Sequence, residues 1–505
     1  MNIKPSIILT LIILIFSSQT QVFSQNRAQS ATQNAVQFPR LEPDPKALEY
    51  YRLGRNGYTW EQLAEIALWA SGDTSTSNME RIRTAVANLN SSSDLPSDQK
   101  EKADFILSFL HRNILRNYSI YQTRIDTALT NGVYNCVSSA VLYIILCEAA
   151  GIRTSGVITR EHALVIVHIG GEEIDVETTN RFGFDPGNRR EFHDQFGRLT
   201  GFAYVPPQNY RDRQTIGKIE LVSLIMNNRI ADFERRNSFA SSVPIAIDRA
   251  ALLFGESLAA TAGETLNSQV LFADPRKDLM DRLINYGATL LRANREDESL
   301  RWAAAASLRY PDSIRWQDYT FAAINNRITR LIRDRQPVNA REFLQANRNL
   351  LTDASHARLD IVVTDAVLLY RAGQSVTIDE GNAIIRDILI ERENGKIQQR
   401  RAQELITYVI QRTAASLCAS PERNWRAAIR YMETAISEYG ANRELEQALA
   451  TYRGNLAAEY HNRFAAEWNR RNYDEAERIL NEGLAEFPDN RQLLSNRETV
   501  NRRNN

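Results

Sequence analysis

The segment over residues 132–151, GVYNCVSSAVLYIILCEAAG, constrains the fold of this chain most. Its apolar side chains would cover nearly every face of a helix: Val137, Ala140, Val141, Leu142, Ile144, Ile145 and Leu146. A helix that is apolar all round is buried in a protein core or spans a membrane. This run is shorter than the ~20 residues that a membrane span needs. The sequence therefore predicts a helix at the centre of a domain, preceded by Asn135 as its cap and ended by Gly151.

Two segments with strand-like patterns follow the central helix. Residues 159–169 (TREHALVIVHI) and 172–179 (EEIDVETT) alternate or run apolar, and Gly170 and Gly171 lie between them. A Gly-Gly pair favours a two-residue hairpin turn, because such turns need positive φ. Amphipathic helical patterns precede the central helix. Together these patterns predict an α+β domain over residues 43–214.

Cys136 stands at the front edge of the central helix, where backbone N–H groups have no partner within the helix. The helix dipole places partial positive charge there, which favours a thiolate over a thiol. Cys147, inside the apolar run, is the contrasting case of a core cysteine. Two interpretations of Cys136 follow: it is a nucleophile, or it is a small apolar side chain that packs well.

A catalytic thiol needs a base, and the base needs a group that orients it. If the two glycines form the turn, Val165 faces Val176 in the hairpin. Alternate residues of a strand share a face, so His162 and Glu177 share one and lie diagonally across from each other. Asp175 lies on the same face, one pair further away, and stays an alternative acid. Taken singly, His162 could be a hydrogen-bonded strand histidine and Glu177 a solvent-facing charge.

A helix-opening cysteine, a histidine that heads one strand and a carboxylate on the next strand together resemble the transglutaminase-like superfamily, which includes papain-like thiol enzymes. That family typically carries its acid in an Asp-Pro-Thr-like element after the histidine, and Val176-Glu-Thr-Thr179 stands at the corresponding place. The resemblance implies a papain-like fold, with Cys136 as nucleophile, His162 as base and Glu177 as the orienting acid. The sequence departs from the family pattern in having Glu for Asp, and Ala163 for an aromatic residue.

The reaction expected of these residues is attack of a thiolate on an amide carbonyl of a protein or peptide. The backbone N–H of Cys136, and a neighbouring donor from Asn135 or Tyr134, would stabilise the oxyanion. Water or an amine would resolve the thioester, which predicts a cysteine protease, an amidase or a transglutaminase-like acyltransferase. The alternative hypothesis is a scaffold without turnover, in which a helical region holds other proteins.

From residue 215 onward the sequence predicts helices, with a connector over 215–278 and a repeat domain over 279–505. Small and aromatic residues fall at tetratricopeptide spacing in the last repeat unit: Tyr473, Ala476, Leu480, Gly483 and Pro488. Trp425, Ala428, Met432 and Ala435 match the same positions one unit earlier. The separation of Ala428 and Ala476 exceeds the ~34 residues of a regular array. The domain is thus similar to a degenerate tetratricopeptide array, whose concave surface can bind a protein partner or bind nothing specific.

The N-terminus has the pattern of a cleavable export signal. Lys4 precedes a short apolar core over residues 6–16, and small residues follow near a cut after Ser24. We expect residues 1–24 to be removed, residues 25–42 to form a flexible linker, and the protein to be exported, either periplasmic or secreted.

Charge and motif content narrow the partners further. Lysine plus arginine (61) equals aspartate plus glutamate (61), so no overall field favours nucleic acid. The sequence carries no phosphate-binding loop, paired Cys-x-x-Cys or His-Glu-x-x-His motif. We therefore expect no cofactor, no metal site, no nucleic acid partner and no stable membrane span. A Gly- and Pro-rich loop over residues 181–210 is long enough to form an edge of the site.

Overall fold

A computed structural model of the chain describes residues 38–54, 57–160, 162–187, 192, 197–198, 213–258, 274–419 and 424–504. The predicted export signal, the linker up to residue 37 and most of the loop over 181–210 lie outside the described residues. The chain divides into two compact units, residues 1–316 and 317–505. This division falls later in the chain than the domain boundary at residue 279 that the sequence predicts.

The first unit combines helices with a small sheet. Its helices are α1 (Pro45–Leu53), α2 (Trp60–Ser71), α3 (Thr76–Asn90), α4 (Gln99–Asn113), α5 (Ile125–Asn131), α6 (Cys136–Ala149), α7 (Lys218–Arg235), α8 (Phe239–Phe254), α9 (Pro275–Arg292) and α10 (Glu296–Arg309). Its strands are β1 (Asn117–Tyr118), β2 (Val133–Tyr134), β3 (Thr154–Ile158), β4 (Ala163–Ile169), β5 (Glu172–Val176) and β6 (Gln214–Ile216).

Helix α6 is the predicted central helix. The side-chain oxygen of Asn135 accepts the N–H groups of Val137 and Ser138, each at 3.0 Å, and the Ser138 hydroxyl accepts the N–H of Asn135 at 2.9 Å. This reciprocal cap fixes the first turn. All eleven residues from Val137 to Cys147 are buried. The prediction of a buried helix capped by Asn135 is confirmed.

Strands β3 to β6 form one antiparallel sheet in the order β5-β4-β3-β6. Val165 pairs with Val176, as the sequence predicts, and Gly170 and Gly171 have φ of +60° and +90°. Both glycines therefore adopt the backbone that a tight hairpin turn needs. The predicted hairpin and its register are confirmed.

Strand β3 is an element that the sequence patterns missed, and the first predicted strand begins too early. Ile158 pairs with Ala163, and the N–H of Thr159 donates to the carbonyl of His162 at 2.9 Å, so Thr159 and His162 lie in the connection between β3 and β4 and not in a strand. A glycine, Gly156, interrupts the apolar pattern of β3, which weakens its strand signal. That glycine has a packing reason, because a Cβ there would meet the side chains of Ile216 and Leu221 at 3.0 Å.

One face of the sheet packs on α6 and completes the core of the first unit. Ala163, Val165, Val167, Ile174 and Val176 belong to this core together with the buried side of α6. Helix α7 contributes further buried side chains to the same core: Leu221, Val222, Ile225 and Met226. Each such side chain stabilises the fold by about 1.5–3 kcal/mol when it is fully buried. The described residues of the expected helical connector, 215–258 and 274–278, therefore lie in the first unit.

The last residues of the predicted flexible linker are held in place. The ring of Phe38 packs edge-on against Trp302, with centroids 5.7 Å apart, and Arg40 forms an ion pair with Asp248. The hydroxyl of Tyr310 donates to the carbonyl of Leu41. The prediction of a flexible linker is thus wrong for residues 38–42, because aromatic and charged contacts fix them on α8 and α10.

The second unit is helical throughout its described residues. Helix α11 (Ser313–Arg333) crosses its boundary, and α12 (Pro337–Ala346), α13 (Asp353–Gln374), α14 (Ile378–Glu393), α15 (Gln399–Ala419), α16 (Trp425–Tyr439), α17 (Arg443–Asn469), α18 (Tyr473–Glu486) and α19 (Arg491–Asn504) follow. From α12 to α19, most helices pack on their neighbours in sequence, and α13, α15, α17 and α19 also contact one another in that order. Gly483 lies so close to Tyr460 that a Cβ there would meet its ring at 3.0 Å, which lets α18 approach α17.

No helix among the described residues is both long enough and apolar enough to cross a membrane.

Candidate active site

Cys136 opens α6 at the point where two short parallel strands, β1 and β2, lead into the helix. Its side chain is partly exposed, unlike the fully buried residues that follow it. Of the N–H groups in the first turn, Asn135 accepts those of Val137 and Ser138 but not that of Cys136. The sulfur is therefore held at the positive end of a rigid, buried helix.

His162 lies between Cys136 and Glu177. Its Nε2 is 2.6 Å from Oε2 of Glu177, and the imidazole also shares a hydrogen bond with the thiol of Cys136. The side chain of His162 is 16% exposed and that of Glu177 is 2% exposed. The structure thus brings together the three residues that the sequence predicts as nucleophile, base and orienting acid.

The electrostatics of this cluster favour a charged imidazole. Burial alone would lower the pKa of His162, but the carboxylate of Glu177 and the hydrogen bonds to Cys136 and Glu177 outweigh it. The pKa of His162 is therefore raised well above its ordinary value. A protonated imidazole next to the sulfur stabilises negative charge on it.

Hydrogen bonds of its second carboxylate oxygen, Oε1, and of its backbone N–H hold Glu177 in place. Its Oε1 accepts the N–H of Thr179 at 3.2 Å and the Thr179 hydroxyl at 2.7 Å, which leaves Oε2 for His162. The N–H of Glu177 donates to the carbonyl of Gly183 at 2.7 Å. A Cβ at Gly183 would overlap the carbonyl oxygen of Glu177. A tight turn over residues 177–183 thus fixes the acid.

Side chains from three other elements hold Thr178 and Thr179, which are both fully buried. The Ser139 hydroxyl lies 2.8 Å from that of Thr178, and the Tyr134 hydroxyl donates to the carbonyl of Thr179 at 2.9 Å. Nε2 of His111 lies 3.0 Å from the carbonyl of Thr178.

His111 is a residue that sequence reasoning missed. Burial lowers its pKa to about 4, against the opposing effect of its hydrogen bond to Thr178. His111 is therefore neutral near neutral pH, and its Nε2–H donates to the carbonyl of Thr178. No local pattern could have indicated this role, because His111 lies on α4 and its partner lies at the end of the hairpin.

Asp175, the alternative acid, has another partner. Both of its oxygens bind the guanidinium of Arg213, with Nη1 at 3.1 Å from Oδ2. Asp175 pairs with Ile166 within the β4–β5 ladder, whereas Glu177 follows the end of β5. Glu177, and not Asp175, is the carboxylate at the imidazole.

The predicted oxyanion donors, Tyr134, Asn135 and Cys136, differ in whether they keep a hydrogen that is not already in a hydrogen bond. The hydroxyl hydrogen of Tyr134 is used by Thr179, so its hydroxyl is not available to an oxyanion. The amide of Asn135 donates one hydrogen to the carbonyl of Ile120 at 3.3 Å and keeps the other. The backbone N–H of Cys136 stays a candidate donor. The Tyr134 hydroxyl is thus excluded as the second donor, and the wider prediction of a donor from Asn135 or Tyr134 stays a prediction.

Tyr118 carries a further hydroxyl group of the site, which the sequence did not indicate. It pairs with Tyr134 between β1 and β2, and the two rings meet edge-on with centroids 5.8 Å apart. Burial, followed by the negative charges of Cys136 and Glu177, raises the pKa of Tyr118, so its hydroxyl keeps its proton. A two-residue strand has no periodicity that a sequence pattern could detect.

Within the described ranges, no group of three or more His, Cys, Asp or Glu side chains is placed to hold a metal ion. The chemistry that the site offers is that of a thiol, an imidazole and a carboxylate in hydrogen-bonding contact. A scan of models of known protein families and a search of curated proteins both returned no match for this chain.

Proposed function

We propose that this chain is an exported, transglutaminase-like thiol enzyme that acts on amide bonds of a protein or peptide. The observation that carries the proposal is the contact of His162 with both Cys136 and Glu177. A nucleophile, a base and an orienting group in hydrogen-bonding contact are the arrangement that thiol catalysis requires.

In the proposed reaction the sulfur of Cys136 forms a bond to the carbonyl carbon of the amide. The carbon–nitrogen bond then breaks, and the imidazolium of His162 gives its proton to the leaving amine. The product is a thioester on Cys136. Water then attacks the thioester while His162 takes its proton, which releases a carboxylic acid and restores the thiol. A primary amine in place of water gives a new amide instead.

Negative charge develops on the carbonyl oxygen before the carbon–nitrogen bond breaks, and donors aimed at that oxygen lower the barrier. The backbone N–H of Cys136, the free hydrogen of the Asn135 amide and the protonated hydroxyl of Tyr118 are the groups that can supply them. Glu177 keeps the imidazole oriented and stabilises its positive charge.

The second unit is proposed to be a degenerate tetratricopeptide-like array that binds a protein partner. Its consecutive packed helices support this, as do the buried small residues at the matching positions, Ala428, Ala435, Ala476 and Gly483. The proposal that the protein is exported rests on the N-terminal sequence pattern alone.

Alkylation of the native protein tests the proposed nucleophile. Iodoacetamide near neutral pH, followed by peptide mapping, is expected to modify Cys136 well before Cys147 and Cys418. The substitution His162→Gln is expected to slow modification of Cys136 and leave Cys418 unaffected, since burial raises the pKa of Cys418 independently of the site. Equal rates at all three thiols would contradict the proposal and favour a scaffold without turnover.

Casein as acyl donor, with dansylcadaverine as a fluorescent amine, tests the reaction itself. Release of new amino termini indicates hydrolysis, whereas dye on the protein indicates acyl transfer. Cys136→Ala is expected to abolish both products, and Cys418→Ala is the matched control that keeps them.

A further inference from the structure

A cavity of about 450 Å³ lies beside the loop that connects β1 to α5. Residues 119 and 121–124 of that loop form part of its wall, together with Val133 of β2 and the C-terminal half of α7. The cavity belongs entirely to the first unit.

The same loop contacts the first turn of α6. The N–H of Ser119 donates to the carbonyl of Tyr134 at 2.8 Å, and the Asn135 amide donates to the carbonyl of Ile120. The Ser138 hydroxyl contacts the carbonyl of Gln122 at 3.3 Å. The loop therefore lines the cavity and is also hydrogen-bonded to the residues that flank Cys136. An extended peptide with its amide at Cys136 spans ~3.3–3.6 Å per residue.

Positive charge predominates in the lining of this cavity. Arg124, Arg229 and Arg236 line it, and Asp232 is the acidic residue among the lining residues that the structure describes. Asp232 already has partners, because Arg235 and Arg236 each form an ion pair with it at 2.7 Å. Arg124 bonds Asp126 through two nitrogens, at 3.0 and 2.6 Å.

Arg229 is the arginine of this lining whose hydrogen-bond partner is a backbone carbonyl and not a carboxylate. Its Nη1 donates to the carbonyl of Ala70, at the C-terminal end of α2, at 2.6 Å. In the part of the chain that the structure describes, no carboxylate lies within ion-pair distance of this half-buried guanidinium. Burial, followed by repulsion from Arg124, lowers the pKa of Arg229, and the attraction of Asp126 and Asp248 opposes this only in part. An anion in the cavity would relieve both effects.

We propose that this cavity binds a carboxylate of the peptide substrate, so that the enzyme prefers amides in acidic peptides. The inference rests on the proposed function, which it deepens by naming the substrate class. Arginine binds carboxylates through parallel N–H groups. Tyr121 and Phe233 add apolar surface beside the arginines, which suits the aliphatic part of a glutamate side chain.

Peptide binding to the full chain with Cys136→Ala tests the inference without any turnover. The probes are short capped alanine-based peptides with one central glutamine, in which a glutamate replaces alanine at each other position in turn. Calorimetry at low ionic strength is expected to show one glutamate position that binds about tenfold more tightly than the parent peptide. Raising the salt to about 0.5 M is expected to remove most of this gain, because the Debye length shortens.

Variants of the arginines identify the binding surface. Added to Cys136→Ala, Arg229→Gln is expected to abolish the preference for glutamate, and Arg229→Lys is expected to keep part of it. A thermal melt shows whether Arg229→Gln impairs folding. If it does, Arg124→Gln, at a more exposed side chain, tests the same surface. Arg83→Gln, at an exposed position on α3, is the matched control and is expected to change nothing.

Two results would overturn the inference: no glutamate position improves binding, or the gain persists in both Arg229→Gln and Arg124→Gln. Either result leaves the proposed reaction of Cys136 untouched, because binding is measured without it. Conversely, a glutamate preference in a protein whose Cys136 is inert would support the cavity and contradict the proposed reaction.

Discussion

Cys136 and Cys147 lie on the same helix and have opposite surroundings. Cys136 is partly exposed in the first turn of α6 and shares a hydrogen bond with an imidazole. Cys147 is completely buried among apolar side chains, and that burial raises its pKa strongly. The position of a cysteine on the helix, and not the presence of a thiol alone, therefore decides whether it can act as a nucleophile.

The largest difference between the two cysteines is expected in turnover. Cys136→Ala should lower amide turnover at least about 10³-fold, because the attacking atom is lost. It should change the free energy of unfolding by less than about 1 kcal/mol, because the side chain is partly exposed. Cys147→Ala should keep the turnover and lose about 1–2 kcal/mol of stability, because it leaves a cavity in the core. Activity assays and denaturant titrations of both variants measure these effects.

The assignment of Cys136 as the nucleophile and Cys147 as a core residue is contradicted if the two variants show the opposite effects. A stable, inactive Cys147→Ala, or a Cys136→Ala that fails to fold, would mark Cys136 as a packing residue.

The next difference is expected in labelling rates. Cys147 can react only when the core opens, whereas Cys136 is accessible in the native state. With an opening free energy of a few kcal/mol, native Cys147 should be modified about 10³-fold more slowly than Cys136. In denaturant the two rates should converge, and mass spectrometry of timed samples follows both. A ratio near one in the native protein would contradict the difference in burial.

A smaller effect is expected for two carboxylates, that of Asp175 on β5 and that of Glu177 directly after it. Glu177→Gln should lower turnover about 100-fold, because the amide holds the imidazole less well in the required tautomer. Asp175→Asn should leave turnover nearly unchanged and cost less than about 1 kcal/mol, because it removes an ion pair on a partly exposed surface. Steady-state kinetics of the two variants separate the carboxylate at the imidazole from its neighbour. Equal losses of turnover in both variants would contradict the assignment of Glu177 as the orienting acid.

The smallest effect is expected in the pH dependence of stability. The pKa of His162 is raised in the folded protein, so its stabilising contribution is fully present below the ordinary histidine pKa of about 6.5. The contribution is lost as the pH rises through the raised value of the folded state, by at most about 1.4 kcal/mol per pH unit. Exposure of Cys147 in denaturant, measured by labelling at each pH, reports the unfolding of the first unit. His162→Gln should flatten this dependence on the alkaline side, and an unchanged slope would contradict the pKa shift.

The parts of the site that could be predicted are those set by local patterns. The apolar run behind Cys136 predicts a buried helix, and Asn135 predicts its start. Gly170 and Gly171 predict the turn, and the turn sets the register that carries Glu177 towards His162.

The parts that could not be predicted depend on contacts between distant segments. His111 contacts Thr178 across 67 residues of sequence, and Tyr134 contacts Thr179 across 45. Helix α7 has an ordinary amphipathic pattern, and its inclusion in the first unit is decided by the core that it enters. Periodicity reveals which face of an element is apolar, but it does not reveal which other element covers that face.

The turn behind Glu177 makes the tolerance of this site to mutation uneven. Glu177 reaches His162 through a side chain with several rotatable bonds, which can adjust to a small shift of its surroundings. Gly183 has no such freedom, because any side chain there collides with the carbonyl of Glu177. A change of Gly183 to alanine adds one methyl group outside the Cys136–His162–Glu177 cluster. It would displace the acid and should disable the proposed active site nearly as thoroughly as deleting Glu177.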